Sequence, residues 1–302
     1  MRIGELLSMG RPAFSFEFFP PKTEAGLQVL RDSILSLRDL QPTFISVTYG
    51  AGGSARDRTM ELLAEAQRKY EFEALAHLTC VGATSHEIEG LLQRLQVAGI
   101  ENILALRGDP PQGQERFHAV HGGFAHADGL VAFIKRCYRF CVGGACYPEG
   151  HLECVGMHGN RDLDRDMANL KRKVDAGCQF LITQLFFDNQ AYFDFVGRAR
   201  KAGIGVPIIP GIMPITNFEQ VQRFTQMCGA TIPKTLLDEL DRLKLRPDAV
   251  LSLGVAHAAA QCLELLQRNV PGIHFYTLNK SAATRTILTA LRTIWPPAQH
   301  PA

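Results

Sequence analysis

Eight short apolar runs, most of them followed by a stretch of helical periodicity, constrain this chain more than any other feature of its sequence. The runs are FSFEFF (14–19), FISVTYG (44–50), EALAHLTC (73–80), NILALRGD (102–109), VGGACYP (142–148), FLITQLFF (180–187), VPIIPGIMP (206–214) and GIHFYTLN (272–279). Their length and their β-branched and aromatic content predict buried strands. Between them, EAGLQVLRDSILSLRDL, DRTMELLAEAQRKY and HEIEGLLQRLQVAG carry apolar residues at helical spacing with charges between. DLDRDMANLKRKVDAG sets Leu163, Met167, Leu170 and Val174 on one face, the pattern of a packed helix. Ala98-Gly99, Ala176-Gly177 and Ala202-Gly203 close three helices just before the next strand, where glycine suits a left-handed C-cap.

A strand, a helix and a second strand repeating every ~30 residues is the βαβ unit, which crosses over right-handed and pairs its strands in parallel. Eight such units predict an α/β chain of the (β/α)8 TIM-barrel type. The rival is an open, doubly wound sheet. Two additions stand out: a loop after the fourth strand (110–127) and extra helices at about 233–268, before strand eight. The tail WPPAQHPA is expected to fray. With no interdomain linker or low-complexity segment, residues 1–302 read as one catalytic barrel domain.

Charge excludes some partners. There are 32 basic and 30 acidic residues, a net charge of +2, and no basic run or stripe, so nucleic acid is not expected. No apolar stretch reads as approaching the roughly 20 residues of a bilayer span. The start, MRIGELLSMGRP, lacks a signal-peptide pattern, so a cytoplasmic protein without membrane partners is expected. Cys137, Cys141, Cys146 and Cys154 cluster without any CxxC pair, so neither a disulfide framework nor a metal site is expected. His118, His121 and His126 read as solvated loop residues.

Barrel enzymes build their sites at the C-terminal ends of the strands. Those ends carry Glu17, then Thr48, then His77 with Thr79, then Arg107 with Asp109. Later strands give Tyr147 with Glu149 and His151, then Gln184, then Asn279 with Lys280; only strand seven ends apolar. Such polarity on seven strands of eight points to a site. Strand parity puts Ser15, Glu17 and Phe19 on one side of strand one and Phe14, Phe16 and Phe18 on the other. Glu17 is then either a rim carboxylate with its head in water or an acid kept protonated by dry surroundings. In strand five, Gly143, Ala145 and Tyr147 share a face, leaving a gap that fits a flat ring or simply tight packing. No G-x-G-x-x-G or phosphate-loop motif is present. YGAGGS (49–54) is a weak phosphate candidate, with a flexible loop as the default. In DMANLKRK, Asp166, Asn169, Arg172 and Lys173 fall near one helix face, as phosphate ligands or as a solvated charged surface.

Read together, these strand ends resemble the methylenetetrahydrofolate reductase family in its bacterial, flavin-dependent MetF-type form. The resemblance runs from about residue 11 to 294 through FSFEFFPPKT, SVTYGAGGSARDRT, AHLTC, LALRGDPP, YPEGH, NLKRKVDAG, ITQLFFD, PGIMPI and HFYTLNK. It implies a (β/α)8 barrel that binds FAD without a dinucleotide fingerprint, and a two-stage reaction. NADH or NADPH reduces the flavin and leaves; 5,10-methylenetetrahydrofolate then enters and is reduced to 5-methyltetrahydrofolate. By the same resemblance Glu17 is the acid that assists protonation of the folate N10, with its pKa raised by aromatic neighbours. Asp109 lies beside the flavin pyrimidine edge and also meets the pterin. FAD contacts map onto Thr48, His77, Arg107, Gly108, Asp109, Ala145, Tyr147, His151, Asp166, Asn169, Arg172 and Lys173. Folate contacts map onto Glu17, Asp109, Gln184, Gln220, Phe224 and Lys280. Lys280 replaces an arginine found in many relatives, keeping the charge but losing the bidentate fork. The resemblance further implies a homo-oligomer. Because the chain stops soon after strand eight, no S-adenosylmethionine-sensing domain is expected within it. NADH is not distinguishable from NADPH on sequence. A barrel oxidoreductase acting on another amine and a non-catalytic folate- or flavin-binding subunit are the competing readings.

Overall fold

The computed structural model describes residues 1–21, 23–48, 53–110, 113 and 117–296, with backbone alone for 53–57. Most of YGAGGS, part of the 110–127 loop and the end of WPPAQHPA therefore lie outside the described residues.

Among the described residues, nine parallel strands form one nearly closed ring in the order β7-β6-β5-β4-β3-β2-β1-β9-β8. They are β1 (Ala13–Phe18), β2 (Phe44–Val47), β3 (Ala74–Thr79), β4 (Asn102–Leu106), β5 (Cys141–Cys146), β6 (Phe180–Thr183), β7 (Ile208–Ile209), β8 (Gly211–Ile212) and β9 (Gly272–Tyr276). The expected eight-stranded TIM barrel is present, with one correction: the seventh run, 206–214, is two short strands parted at Pro210. Proline has no N–H to give a ladder, and here the break is also where the chain changes partner. β7 pairs with β6, β8 pairs with β9, and the Pro210 carbonyl accepts from His274 N at 2.9 Å. The ring closes through that one residue.

Helices α2 (Glu24–Ser36), α3 (Gly53–Tyr70), α4 (Ser85–Val97), α5 (Ala127–Cys137), α6 (Leu163–Asp175), α7 (Asn189–Lys201), α8 (Phe218–Cys228), α9 (Lys234–Leu243), α10 (Pro247–Gln267) and α11 (Ala282–Arg292) surround the ring. The extra helices expected near 233–268 are α9 and α10. Thr84 and Glu87 form a reciprocal capping box at the start of α4, satisfying two of its orphan donors. Gly99, Gly177 and Gly203 have positive φ after α4, α6 and α7, as the three Ala-Gly pairs predict. On α6, Met167 and Leu170 are buried, whereas Leu163 at its first turn stays exposed.

Of three apolar clusters among the described residues, two sit on the two sides of the strands and the third packs α8 and α9 against the chain after β6 and β8. Outside, Phe14, Phe16 and Phe18 are fully buried in the layer between ring and helices, each stabilising the fold by roughly 1.5–3 kcal/mol. Inside, Phe44, Leu75, Leu104, Cys141, Phe180, Ile182 and Ile209 fill the lower barrel. That interior is closed from below by α1 (Ile3–Leu7), an element the sequence reading passes over. Ile3 N donates to Asn102 Oδ1 at 2.8 Å, and Ile3 and Leu7 join the inner core.

α10 corrects another expectation, since it is long and apolar enough to cross a membrane by composition. In the fold it belongs to the barrel wall. Val250, Gly254, Ala258, Cys262, Leu265 and Leu266 are buried. His257 Nε2 lies 3.0 Å from the Phe187 carbonyl, and Gln261 donates to the Phe186 carbonyl at 3.3 Å. The Gly254 backbone runs so close to the Ile215 carbonyl that a Cβ there would overlap it.

Candidate active site at the C-terminal mouth of the barrel

Strand register brings the inner polar residues together. Glu17 on β1 pairs in register with Ser46 on β2 and Tyr276 on β9. Its side chain is 18% exposed. Glu17 Oε2 lies 3.3 Å from His274 Nε2 and 3.4 Å from His77 Nε2. His274 is fully buried, and its Nδ1 is 2.8 Å from Ser15 Oγ. A carboxylate can only accept, so Nε2 of His274 carries the proton and Nδ1 accepts from the Ser15 hydroxyl. A relay thus runs from Ser15 through His274 to Glu17.

The phenylalanines do not raise the Glu17 pKa. They face the outer layer, and the inner face gives the carboxyl a different company. Burial pushes the carboxyl up, but His77, His274 and Ser46 together pull harder, so it is held below its ordinary value. Burial pushes the His77 imidazole below its ordinary value, with Glu17 opposing and His274 adding to the shift. His77 is thereby neutral near pH 7. Its Nε2 and the Ser46 hydroxyl have no hydrogen-bond partner of good geometry although both are buried. Buried polar atoms without partners are rare and mark places where a ligand or water belongs.

A second cluster follows β4 and β5. The Tyr147 ring meets His151 edge-on at 4.5 Å. Burial, with Asp109 next, pushes the Tyr147 hydroxyl well above its ordinary value. The His151 backbone N donates to Asp166 Oδ2 at 3.3 Å, and burial raises that carboxyl. Burial and the Arg107 charge push the His151 imidazole down. Arg107 forms a two-pronged pair with Glu153 at 2.5 and 2.6 Å and lies over the Phe117 ring. Asp109 is exposed beside them, its charge felt by Arg107 and Tyr147. Gly108 takes φ +85°, and a Cβ there would strike Val81 and Thr79, so this turn needs glycine. Tyr276 feels the charge of Glu17 and the proximity of Tyr147, which ties the two clusters to one mouth.

Other predicted residues have a definite but different setting. Thr48 follows β2, half-buried, its carbonyl accepting from Thr59 Oγ1 at 3.1 Å. Lys173 Nζ donates to the Ala145 carbonyl at 2.5 Å, and Arg172 pairs with Asn169 Oδ1 at 2.7 Å and Asp128 at 3.5 Å. The cations of α6 are therefore engaged by protein groups rather than pointing freely at the mouth. At Gly143 the gap on strand five is closed by the Phe180 ring, so tight packing explains that glycine. The half-buried Ala145 remains near the opening. Gln184 follows β6 and its Oε1 accepts from Leu185 N at 2.9 Å. Gln220 and Phe224 lie half-buried on α8, and Phe224 packs against an apolar cluster that also meets Tyr276 and Leu278. Lys280 is exposed after β9. The sequence reading passed over Ser15 and His274 as site residues. The signal was the polar parity of strand nine, where His274 and Tyr276 alternate with Ile273 and Phe275.

For a flavin, the chemistry of this donor set fits: orphaned inner donors beside Glu17, an aromatic wall at Tyr147 and cationic and polar groups at Arg107 and His151.

A (β/α)8 barrel with buried ionisable groups converging on its C-terminal mouth has them where barrel enzymes build their sites. The family model for methylenetetrahydrofolate reductase matches residues 2–292, and the chain belongs to that family. It is 40% identical over 295 residues to methylenetetrahydrofolate reductase (NADH) 1 of Arabidopsis thaliana, across 96% of this chain and 50% of that relative. The chain thus spans about half the length of its plant relatives. It is 38% identical over 283 residues to the 5,10-methylenetetrahydrofolate reductase of Escherichia coli, across 93% of this chain and 91% of the relative. An uncharacterized Clostridium thermocellum protein, described as binding two copies of 5-methyl-5,6,7,8-tetrahydrofolic acid, shares the fold at TM-score 0.66 and 16% identity, across 97% of this chain and 100% of that one.

Proposed function

We propose that this chain, as one barrel domain, catalyses the reduction of 5,10-methylenetetrahydrofolate to 5-methyltetrahydrofolate with electrons from NADH or NADPH. The observation that carries the reading is Glu17, set on the inner face at the barrel mouth and served by a buried histidine relay. Family membership supports the substrate. FAD, when bound, supplies a carrier that accepts hydride from the nicotinamide and returns it to the folate. His77, Arg107, Tyr147, His151 and Asp166 would hold it; Thr48, Gly108, Asp109, Ala145, Asn169, Arg172 and Lys173 complete its surroundings.

The protein's own part is proton management. Glu17 must carry a proton on Oε2 to give to the folate N10. At rest the carboxyl is held low, so the proton arrives when ligand covers the mouth and removes its remaining contact with water, adding to the upward push of burial. After the transfer, His274 Nε2–H stabilises the carboxylate left behind. His77, 3.4 Å from the same carboxylate oxygen, joins His274 in holding Glu17 ionised at rest. Gln184, Gln220, Phe224 and Lys280 would bind and orient the folate, Phe224 by stacking and Lys280 through a carboxylate of the tail.

Purified protein tests this directly. It should be yellow, bleach on anaerobic addition of NADH or NADPH, and recover its colour with methylenetetrahydrofolate. Colourless protein that takes up no FAD, or a reduced flavin reoxidised only by another imine, would refute the proposal.

A further inference from the structure

The loop between β5 and α6 faces two ways. One side presents Tyr147, His151 and the Glu153 partner of Arg107. Its other side grips the turn that ends α8. Arg161 Nη2 donates to the Gly229 carbonyl, while Nη1 donates to the carbonyls of Glu149 at 2.8 Å and Gly150 at 3.2 Å. The Glu149 carboxylate in turn accepts from Thr231 N at 3.0 and 3.1 Å. Arg161 is itself fixed by a two-residue antiparallel bridge to Val155. Leu152 and the Arg161 guanidinium sit so close over Gly229 that a Cβ there would overlap both.

The gripped helix is otherwise held by one apolar face, where Phe224 and Cys228 join Phe218 and Val221 against the cluster of Leu236 and Leu240. Of its eleven residues only Phe218 and Val221 are buried. Asn217 caps its start by accepting from Gln220 N at 2.8 Å. At its end Gly229 takes the left-handed conformation, so the chain turns sharply into the Arg161 and Glu149 contacts. Charge-assisted hydrogen bonds at both sides of that turn are stronger than neutral ones, and they reach the helix from the loop that carries Tyr147 and His151.

We infer that Arg161 and Glu149 are positioning residues that lock α8 to the β5–α6 loop, setting the placement of Gln220 and Phe224 against the mouth. The inference rests on the proposed reading of Gln220 and Phe224 as folate contacts. It makes folate affinity depend on two residues that lie at the far end of α8 from Gln220. Arg161→Met keeps the stem of the side chain and removes its donors; Glu149→Gln keeps the shape and one acceptor and removes the charge.

The test is hydrogen exchange of residues 218–231 in the flavin-loaded protein, with KM and kcat for methylenetetrahydrofolate measured alongside. Losing such bonds should speed exchange there about tenfold in Arg161→Met and raise KM about tenfold with kcat within about twofold. Glu149→Gln should show smaller changes in the same direction, and Arg161→Lys should recover part of the loss. Exchange in α7 and α11 should stay at the wild-type rate, which separates loosening of α8 from general unfolding. Unchanged exchange in α8 in both Arg161→Met and Glu149→Gln overturns the lock. Faster exchange with unchanged KM overturns instead the folate reading of Gln220 and Phe224.

Discussion

His274→Phe separates the structural and chemical consequences of the relay. Phenylalanine preserves the volume of a fully buried ring and its stacking on Phe44, whose centroid lies 6.0 Å away. What it removes is polar: the 2.8 Å bond with Ser15 and the 3.3 Å bond to Glu17. Leaving the Ser15 hydroxyl buried without a partner and removing a donor from a carboxylate should together cost about 2–4 kcal/mol at neutral pH. The loss should depend on pH. The folded Glu17 carboxyl lies below its unfolded value of 4.5, so its contribution is present above that pH and lost as pH falls through the folded value. Without His274 that lowering shrinks, and the variant has less to lose. Urea unfolding of both proteins between pH 8 and pH 4 should therefore show curves that lie apart at neutral pH and approach each other below about pH 4.5. A gap of the same size at every pH, or no gap at pH 7, would refute the assignment of the relay.

Four further outcomes follow from particular residues. Burial holds the His77, His151 and His257 imidazoles below 6.5, so the unfolded chain binds protons that the folded chain refuses. Stability should then decline as pH drops below about 6.5, less steeply in His257→Gln, as read by unfolding at pH 7.5 and 5.5. Gly254→Ala should destabilise by about 3 kcal/mol through overlap with the Ile215 carbonyl, whereas Gly197→Ala, in open space on α7, should stabilise by about 0.5 kcal/mol. Alkylation at pH 8 should label the exposed Cys137 first and spare Cys80, whose thiol burial pushes up to about 12; mass spectrometry of timed samples reads the order. Lys280→Arg should lower KM for methylenetetrahydrofolate about threefold, since a guanidinium can hold a carboxylate with two bonds where an ammonium offers a point charge.

The barrel was legible because its signals are local. Each β run and each amphipathic helix shows its period within a dozen residues, and the Ala-Gly pairs mark where helices stop. The break at Pro210 was legible as a proline but not as the point where the ring closes, because closure is a relation between β6 and β9. α1 was missed since a five-residue helix has no period to read. At the site, strand parity placed Glu17 on the inner face, yet it could not say what faces it from strands three and nine. His77 and His274 lie 60 and 257 positions away in the chain. That distance is why the phenylalanines adjacent in sequence seemed to set the Glu17 pKa while the histidines set it in space. The charged face of α6 shows the same limit, since spacing alone leaves open that Lys173 reaches the Ala145 carbonyl and Arg172 reaches Asp128.

In the proposed reaction Glu17 donates the proton of the folate step and of no other. Anaerobic stopped-flow of Glu17→Gln, following flavin absorbance in each half-reaction separately, measures this most directly. Reduction by the preferred nicotinamide should proceed at close to the wild-type rate, and reoxidation by methylenetetrahydrofolate should fall by about 10²–10⁴-fold, the range expected for loss of a general acid. Equal slowing of both half-reactions, or reoxidation at the wild-type rate, would contradict it.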